Sequence, residues 1–465
     1  MKENIRMNQT LPAAFIDQMK RLLGEEGFTQ YLTALDAPVT KALRINLLRC
    51  EDGAAPCEID GLGNAVPWAK GAYFIEGDAR PGLSPLHEGG LYYLQEPSAL
   101  SSASVLNAQP GEKVLDLCAA PGGKSTQLAA QMQGRGLIVC NEPIPSRAQI
   151  LSRNIERMGV KNAVVTCAYP EQLAPHFPSF FDRIMVDAPC SGEGMFRRQI
   201  EAREEWQENS PRGCADRQMD ILEEAAKMLA PGGRMVYSTC TFNDTENEGV
   251  LARFLAVHPE FSLVPFALAG LPEAKKGYLH LYPHEIRGEG HFVSLLEKST
   301  DAPAFVDNLP LSKKPDRKKG KAEPSRGGKG KPSPMPQLPD VLAPGVTLSR
   351  LYPAGDFLWQ LPEELETDRL SGLRVLRTGL LIAHSEGKRL EPDHALAMAL
   401  KPSEAARSAE LDEAQALAYQ AGETLDLGDL PAGYTLLCHR GIPLGWGKQA
   451  GGVMKNHYPK GLRRR

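Results

Sequence analysis

The segment LDLCAAPGGKST, residues 115–126, decides how the rest of the chain is read. The apolar strand Val114–Cys118 runs into a Gly-rich turn and then into a helix expected over Ser125–Gln133. At such a junction the backbone N–H groups of the helix start can approach a ligand, and glycines permit the close approach. The segment is one residue away from a phosphate-cradling P-loop, G-x-x-x-x-G-K-[ST], with Cys118 where the first Gly belongs. Losing that Gly spoils the loop that wraps successive N–H groups around phosphates. The competing reading is a nucleoside site, with Gly122 and Gly123 under the ligand. Glu142, 20 residues beyond Gly122 at the end of the next strand, stands where an acid can accept hydrogen bonds from ribose hydroxyls.

Outward from this segment, apolar strands and amphipathic helices alternate. The strands are GLIVCNE (136–142), AVVTC (163–167), RIMVDAP (183–189), RMVYSTC (234–240) and a closing HFVSLLEK (291–298). Helices are expected over Pro145–Met158, near Asp216–Leu229 and over Thr245–His258. This alternation predicts an α/β fold with a doubly wound, mostly parallel sheet spanning 96–299. Residues 1–95 read as a small α+β domain, with a helix near Ala14–Leu23 and a strand at Ala42–Leu47. Residues 300–340 carry Pro, Lys, Gly and Ser with little apolar periodicity and read as a flexible basic linker. A C-terminal module, 341–465, follows.

The 465 residues exceed what one core supports, and 42% hydrophobic with 24% charged residues is an ordinary globular composition. The chain offers no apolar run of bilayer length and its N-terminus lacks a signal-peptide core, so a cytoplasmic, membrane-free protein is expected. Nine cysteines without CxxC or Cys/His spacing make neither a disulfide framework nor a metal site. Net charge is −4, yet Leu311–Lys331 holds nine Lys/Arg against two acids, and the last 21 residues hold six Lys/Arg and no acid. Such runs are either solvated segments or footprints for a polyanion.

Cys190 in VDAPCSGEG and Cys240 in VYSTCTFND follow two strand ends, where an open α/β sheet presents side chains to a ligand. Either thiol alone suits a small buried apolar residue. Both together, with Asp187 three residues before Cys190, suit pyrimidine chemistry. Thiolate addition at C6 makes the ring enamine-like, so that C5 can take a methyl group. A carboxyl at the N3/N4 edge stabilises the charge that develops, and a second group assists proton removal and thiolate departure.

LDLCAAPGGKST, NEPIPSR, VDAPCSGEGMFRR and YSTCTFNDTENE resemble, in order, the motifs of the Nop/Sun family of S-adenosylmethionine-dependent RNA cytosine-5 methyltransferases. Within that family the chain is most similar to the bacterial 16S ribosomal RNA group, over about residues 87–298. The resemblance implies a Rossmann-like methyltransferase core and an RNA-recognition-like N-terminal domain. A weaker likeness at GIPLGWGKQAGGVMKNHYPKGLRRR implies a PUA-like RNA-binding end. It implies cofactor contacts from Cys118, Ala119, Ala120, Pro121, Gly122, Gly123 and Lys124, from Glu142 and Asp187, with Arg147 in support. Catalysis would fall to Cys240 as nucleophile and Cys190 in product release, with Asp187 and Lys124 beside them. Where many relatives carry an acid or amide after the third strand, near the adenine, this chain has Cys167, Ala168 and Tyr169. The expected partner is RNA, ribosomal or in an assembling small subunit, bound by a monomer without metal. Transfer RNA or 23S rRNA as substrate, a P-loop nucleotidase and an inactive RNA-binding assembly factor are the alternatives.

Overall fold

The computed structural model describes residues 11–306, 338–386 and 389–464. Most of the expected linker, including the basic run 311–331, therefore lies outside the described residues. The N-terminal helix spans Ala13–Asp36 rather than ending near Leu23. It turns at Gly24, whose φ of 70° is open to glycine at little cost. Its apolar face (Phe15, Met19, Phe28, Tyr31, Leu35) packs on Phe196, Trp206 and Phe242, which follow the two cysteine motifs. Next come β1 (Lys41–Ile45), β2 (Leu62–Ala65), β3 (Ala72–Ile75) and β4 (Tyr92–Gln95), in the order β2-β3-β1-β4.

The central sheet begins with β5 (Lys113–Asp116), β6 (Leu137–Asn141), β7 (Ala163–Thr166), β8 (Phe181–Asp187) and β9 (Leu229–Thr239). These five run parallel in the order β9-β8-β5-β6-β7. Every residue of β6 and β7 is buried, as expected of parallel strands covered on both faces. Helices Ser210–Met228 and Glu248–Val257 cover one face. Helices Leu100–Leu106, Gly123–Gln131 and Pro145–Arg157 cover the other. The sheet is closed beyond β9 by β10 (Phe261–Leu263), β11 (Tyr278–Leu281) and β12 (His291–Lys298), with β12 antiparallel to β9 and flanked by the other two. The expected helix over Thr245–His258 starts later, at Glu248, because the residues before it are tied into a side-chain network described below.

The C-terminal module contributes β13 (Leu351–Ala354), β14 (Phe357–Gln360), β15 (Val375–Thr378), β16 (Leu380–Glu386) and β17 (Arg389–Pro392). A last sheet follows from β18 (Ser408–Glu410), β19 (Gly433–His439), β20 (Ile442–Ala450) and β21 (Val453–Asn456). Trp446 and Tyr458, prominent in the Gly-rich C-terminal sequence, are core residues of this module, each nearly inaccessible. One strand departs from a separate C-terminal body. β15 leaves its neighbours and pairs antiparallel with β7, becoming the ninth strand of the central sheet. The basic C-terminus is likewise engaged rather than a solvated tail: Arg464 donates to the carbonyls of Leu83 and Ser84 in the N-terminal domain. No helix among the described residues is long and apolar enough to cross a membrane.

Candidate active site

The site forms at the carboxyl ends of β5, β6, β8 and β9. Strand β5 ends in Asp116, and the chain then turns through Cys118–Gly122 into the helix Gly123–Gln131. Gly122 takes φ 112°, a conformation that disfavours any side chain, and its neighbour Gly123 lies against the Gln95 side chain. The turn is tied on its outer side by Arg147, which donates to the Ala120 carbonyl at 3.2 Å, and by Asn154 to Pro121 at 2.9 Å. On its inner side buried Arg44 donates to the Gly123 carbonyl and to the Thr126 hydroxyl.

A cavity of about 220 Å³ opens over this turn, lined by Tyr93–Glu96, Asp116, Cys118–Pro121, Gly123, Lys124 and Asp187. Asp116 Oδ2 accepts from Ser125 at 2.6 Å, whereas its buried Oδ1 has no hydrogen-bond partner. Burial, reinforced by Asp187 and Glu142, pushes the Asp116 carboxyl up to about 7 against the Ser125 hydrogen bond. Burial likewise raises the Cys118 thiol, keeping it protonated. Glu142, 2% exposed, accepts from the Ile144 N–H at 3.0 Å and meets Arg147 at 3.3 Å. The backbone N–H groups after β7 are already used: Cys167 donates to the Arg374 carbonyl, Ala168 to Asn141 and Tyr169 to Gln172.

At the other end of the cavity Lys124 Nζ donates to Asp187 Oδ2 at 2.9 Å, and the Ser238 hydroxyl donates to Oδ1 at 2.8 Å. His291 Nε2 stands 3.5 Å from the same Oδ1. Burial alone would raise Asp187, but Lys124 and then His291 outweigh it and hold the carboxyl well below the usual carboxylate range. Burial lowers His291, helped by the Lys124 charge and opposed by Asp187. Lys124 shows the reverse balance: burial would lower it, but Asp187 holds it charged. The lysine and hydroxyl that a P-loop would turn to phosphate and metal are thus spent on Asp187 and Asp116.

Cys190 and Cys240 meet with their sulfurs 3.2 Å apart. Their strands are neighbours in register, Asp187 opposite Ser238, so each thiol sits a few residues past a shared level. The contact with Cys240 and burial push the Cys190 thiol well up. Residues not singled out by sequence reasoning hold the two thiol loops together. Glu246 accepts from the Ser191 N–H at 3.0 Å, from Gln218 at 2.7 Å, from Asn243 at 2.7 Å and from the Ser191 hydroxyl. Glu193 accepts from the N–H groups of Phe242 and Asn243 and from Gln18 of the N-terminal helix. Among the described residues no group of three His, Cys, Asp or Glu side chains is placed to hold a metal ion.

Four family models match in succession along the chain. They are the N-terminal domain of 16S rRNA methyltransferase RsmF over residues 11–97, and 16S rRNA methyltransferase RsmB/F over 103–297. The RsmF rRNA methyltransferase first C-terminal domain follows over 341–400, and the RsmF PUA domain over 406–464. Ribosomal RNA small subunit methyltransferase F of Erwinia tasmaniensis is 32% identical over 474 residues, 97% of this chain and 96% of that one. The chain belongs to the RsmB/F methyltransferase family. The Serratia proteamaculans protein of the same name is 34% identical, again over 97% of this chain and 96% of its own. A solved methyltransferase homolog from Pyrococcus horikoshii superposes with a TM-score of 0.52 at 29% identity, covering 63% of this chain and 97% of that one. The fold is accordingly a Rossmann-like methyltransferase core between an RsmF-type N-terminal domain and a PUA-like C-terminal domain. In this RsmB/F family member the structure brings Cys118–Pro121, Gly123, Lys124 and Asp187 to one cavity, and it brings Cys190 and Cys240 into contact past the ends of β8 and β9. Glu142, just past β6, pairs with Arg147, and neither is among the residues that line the cavity.

Proposed function

We propose that this protein transfers a methyl group from S-adenosylmethionine to C5 of a cytosine in 16S ribosomal RNA, through a covalent bond between Cys240 and C6. The observation that carries this reading is the pair of thiols 3.2 Å apart beside the Lys124–Asp187 pair. The turn 118–124, unpartnered Asp116 Oδ1 and the Glu142–Arg147 pair fit a cationic nucleoside whose ribose hydroxyls need acceptors. When bound, S-adenosylmethionine supplies an electrophilic methyl group on a sulfonium. Cys240 as thiolate adds to C6, so that C5 becomes nucleophilic; after methylation the C5 proton leaves and the C6–S bond breaks. Cys190 stands beside that bond and is placed to exchange a proton with the departing sulfur. Asp187, oriented by Ser238 and charge-balanced by Lys124, faces the crevice where the N3/N4 edge of the ring must lie.

The family membership, the RNA-modifying names of the relatives and the PUA-like domain support RNA as substrate. The test is bisulfite sequencing of 16S rRNA, and of 23S and transfer RNA in parallel, from cells with and without the gene. The expected result is one or more 16S cytosines that are protected in cells with the gene and lose that protection when it is removed. Loss of protection only in another RNA would move the substrate, and no loss anywhere would reject C5 methylation.

A further inference from the structure

We propose that a groove between the N-terminal sheet and the loop after Cys190 seats a nucleotide next to the target cytosine. This rests on the reading of the substrate as RNA and assigns a residue-level contact to it. The groove, about 580 Å³, has a floor of Ile75, Ala79, Pro81, Gly82, Leu83 and Leu94, and its rim carries Lys41, Arg80 and Arg198. Leu83 is 65% exposed, a large apolar side chain left open at the floor. Lys41 and Arg80 make no ion pair among the described residues. Arg198 has only a 3.8 Å approach to Glu289, a carboxylate already bonded to Arg197 at 2.6 Å. The single acid lining the groove, Glu96, is turned inward, accepting from the N–H groups of Ser98, Ala99 and Glu289. The groove thus sets three cations at its rim against one acid that is spent on backbone donors, over an apolar floor.

Position argues for a nucleotide over other occupants. Leu94, Gln95 and Glu96 line both this groove and the cavity over the cofactor turn, so the two adjoin across one wall. Gln95 also carries a buried Oε1 without a hydrogen-bond partner at that shared wall, an acceptor available to a base N–H. A strand that delivers one base to Cys240 must lead its neighbour away over the adjoining surface, where this groove lies. Single-stranded RNA is held in such grooves by splayed bases on flat or apolar side chains and by cations on the phosphates. The floor is also fixed in advance. Tyr92 donates to the Pro81 carbonyl at 2.7 Å, and Arg464 of the PUA-like domain holds the Leu83 and Ser84 carbonyls.

The test uses the full chain and a 16S fragment that the wild type methylates. The double variant Lys41→Ala/Arg80→Ala should raise KM for RNA about 10-fold. Its kcat should stay within about 2-fold and S-adenosylmethionine affinity should be unchanged. Loss of two phosphate contacts should also reduce the slope of log Kd against log salt by about 1.4, at roughly 0.7 per single-strand phosphate. Lys41→Arg/Arg80→Lys should restore both. In wild type, 5-iodouridine beside the target should crosslink to residues 79–83. An active wild type whose double variant keeps KM and salt slope, or whose crosslinks fall elsewhere, overturns the groove; this includes the case in which a protein segment occupies it. A wild type that makes no 5-methylcytosine overturns the parent reading instead.

Discussion

Cys190 and Cys240 are the same side chain in touching positions, and their chemistry differs only through what surrounds them. If Cys240 adds to C6 and Cys190 serves release, Cys240→Ala should lower methylation by roughly 10³-fold or more and leave no covalent RNA complex. Cys190→Ala should add and methylate but stall, giving an adduct that survives denaturing electrophoresis. An adduct from Cys240→Ala and none from Cys190→Ala would exchange the roles. Asp116 offers a second test at this scale. Its folded-state value near 7 lies above the unfolded carboxyl near 3.9. Its contribution to stability is therefore complete below about pH 4 and is lost as pH rises toward 7. Asp116→Asn keeps an acceptor for Ser125 but cannot ionise, so its melting temperature should fall less than that of the wild type between pH 5 and 7.5. Parallel curves would show that Asp116 does not titrate there. The thiols, Asp187 and Lys124 are legible in the sequence because each has few alternative uses at a strand end or turn. Glu246, Glu193, Ser238 and His291 are not, because an isolated acid, serine or histidine beside such a motif reads equally well as solvated or core. Only the fold shows that the acid run NDTENE turns one carboxylate inward.

That carboxylate belongs to the element scale, because it joins two loops rather than touching substrate. The loop after β8 and the loop after β9 meet through Glu246, which accepts four hydrogen bonds, and through Glu193, which accepts from the backbone at Phe242 and Asn243. Glu246→Ala would strand several buried donors and should cost about 3 kcal/mol or more. Glu246→Gln keeps one acceptor oxygen and should fall between. The expected result is a lowered melting temperature and loss of methylation in the alanine variant, with normal S-adenosylmethionine affinity because the turn 118–124, proposed to hold it, hangs on β5. An alanine variant with wild-type stability and activity would show that the loops hold their positions without the network. At this scale the sequence is most informative where burial is two-sided. β12 spans the residues expected of it, and β5 to β8 fall within about three residues of expectation, because continuous apolar runs between turns leave little choice. It is least informative at β15, where VLRT has no pattern that distinguishes a partner in its own module from one in the catalytic sheet.

At the scale of the molecule, β15 means that the catalytic sheet is incomplete without the C-terminal module. It covers the edge of β7, whose Val164 and Val165 are fully buried on opposite faces. Two further main-chain bonds extend the seam: the Cys167 N–H donates to the Arg374 carbonyl at 2.8 Å, and the Gly379 N–H to Ala163 at 2.9 Å. Arg377, buried in the seam, pairs with Glu156 on the helix covering β6 and β7. The PUA-like domain adds Gln420 on the Pro85 carbonyl and Arg464 on the Leu83 and Ser84 carbonyls, so the chain closes from its last domain to its first. A core truncated to 96–299 would expose an apolar, unpaired parallel edge, the geometry that recruits another copy. It would also remove the N-terminal helix that backs both cysteine loops. Such a fragment should therefore elute as aggregate and melt below the full chain, and its S-adenosylmethionine binding should be weakened. Truncation after residue 306 retains the N-terminal domain, so it isolates the edge effect. This longer fragment should still self-associate, and co-expression with 338–464 should return it to a single species. A monodisperse 11–306 fragment with the melting temperature of the full chain would mean that β15 decorates the sheet without stabilising it.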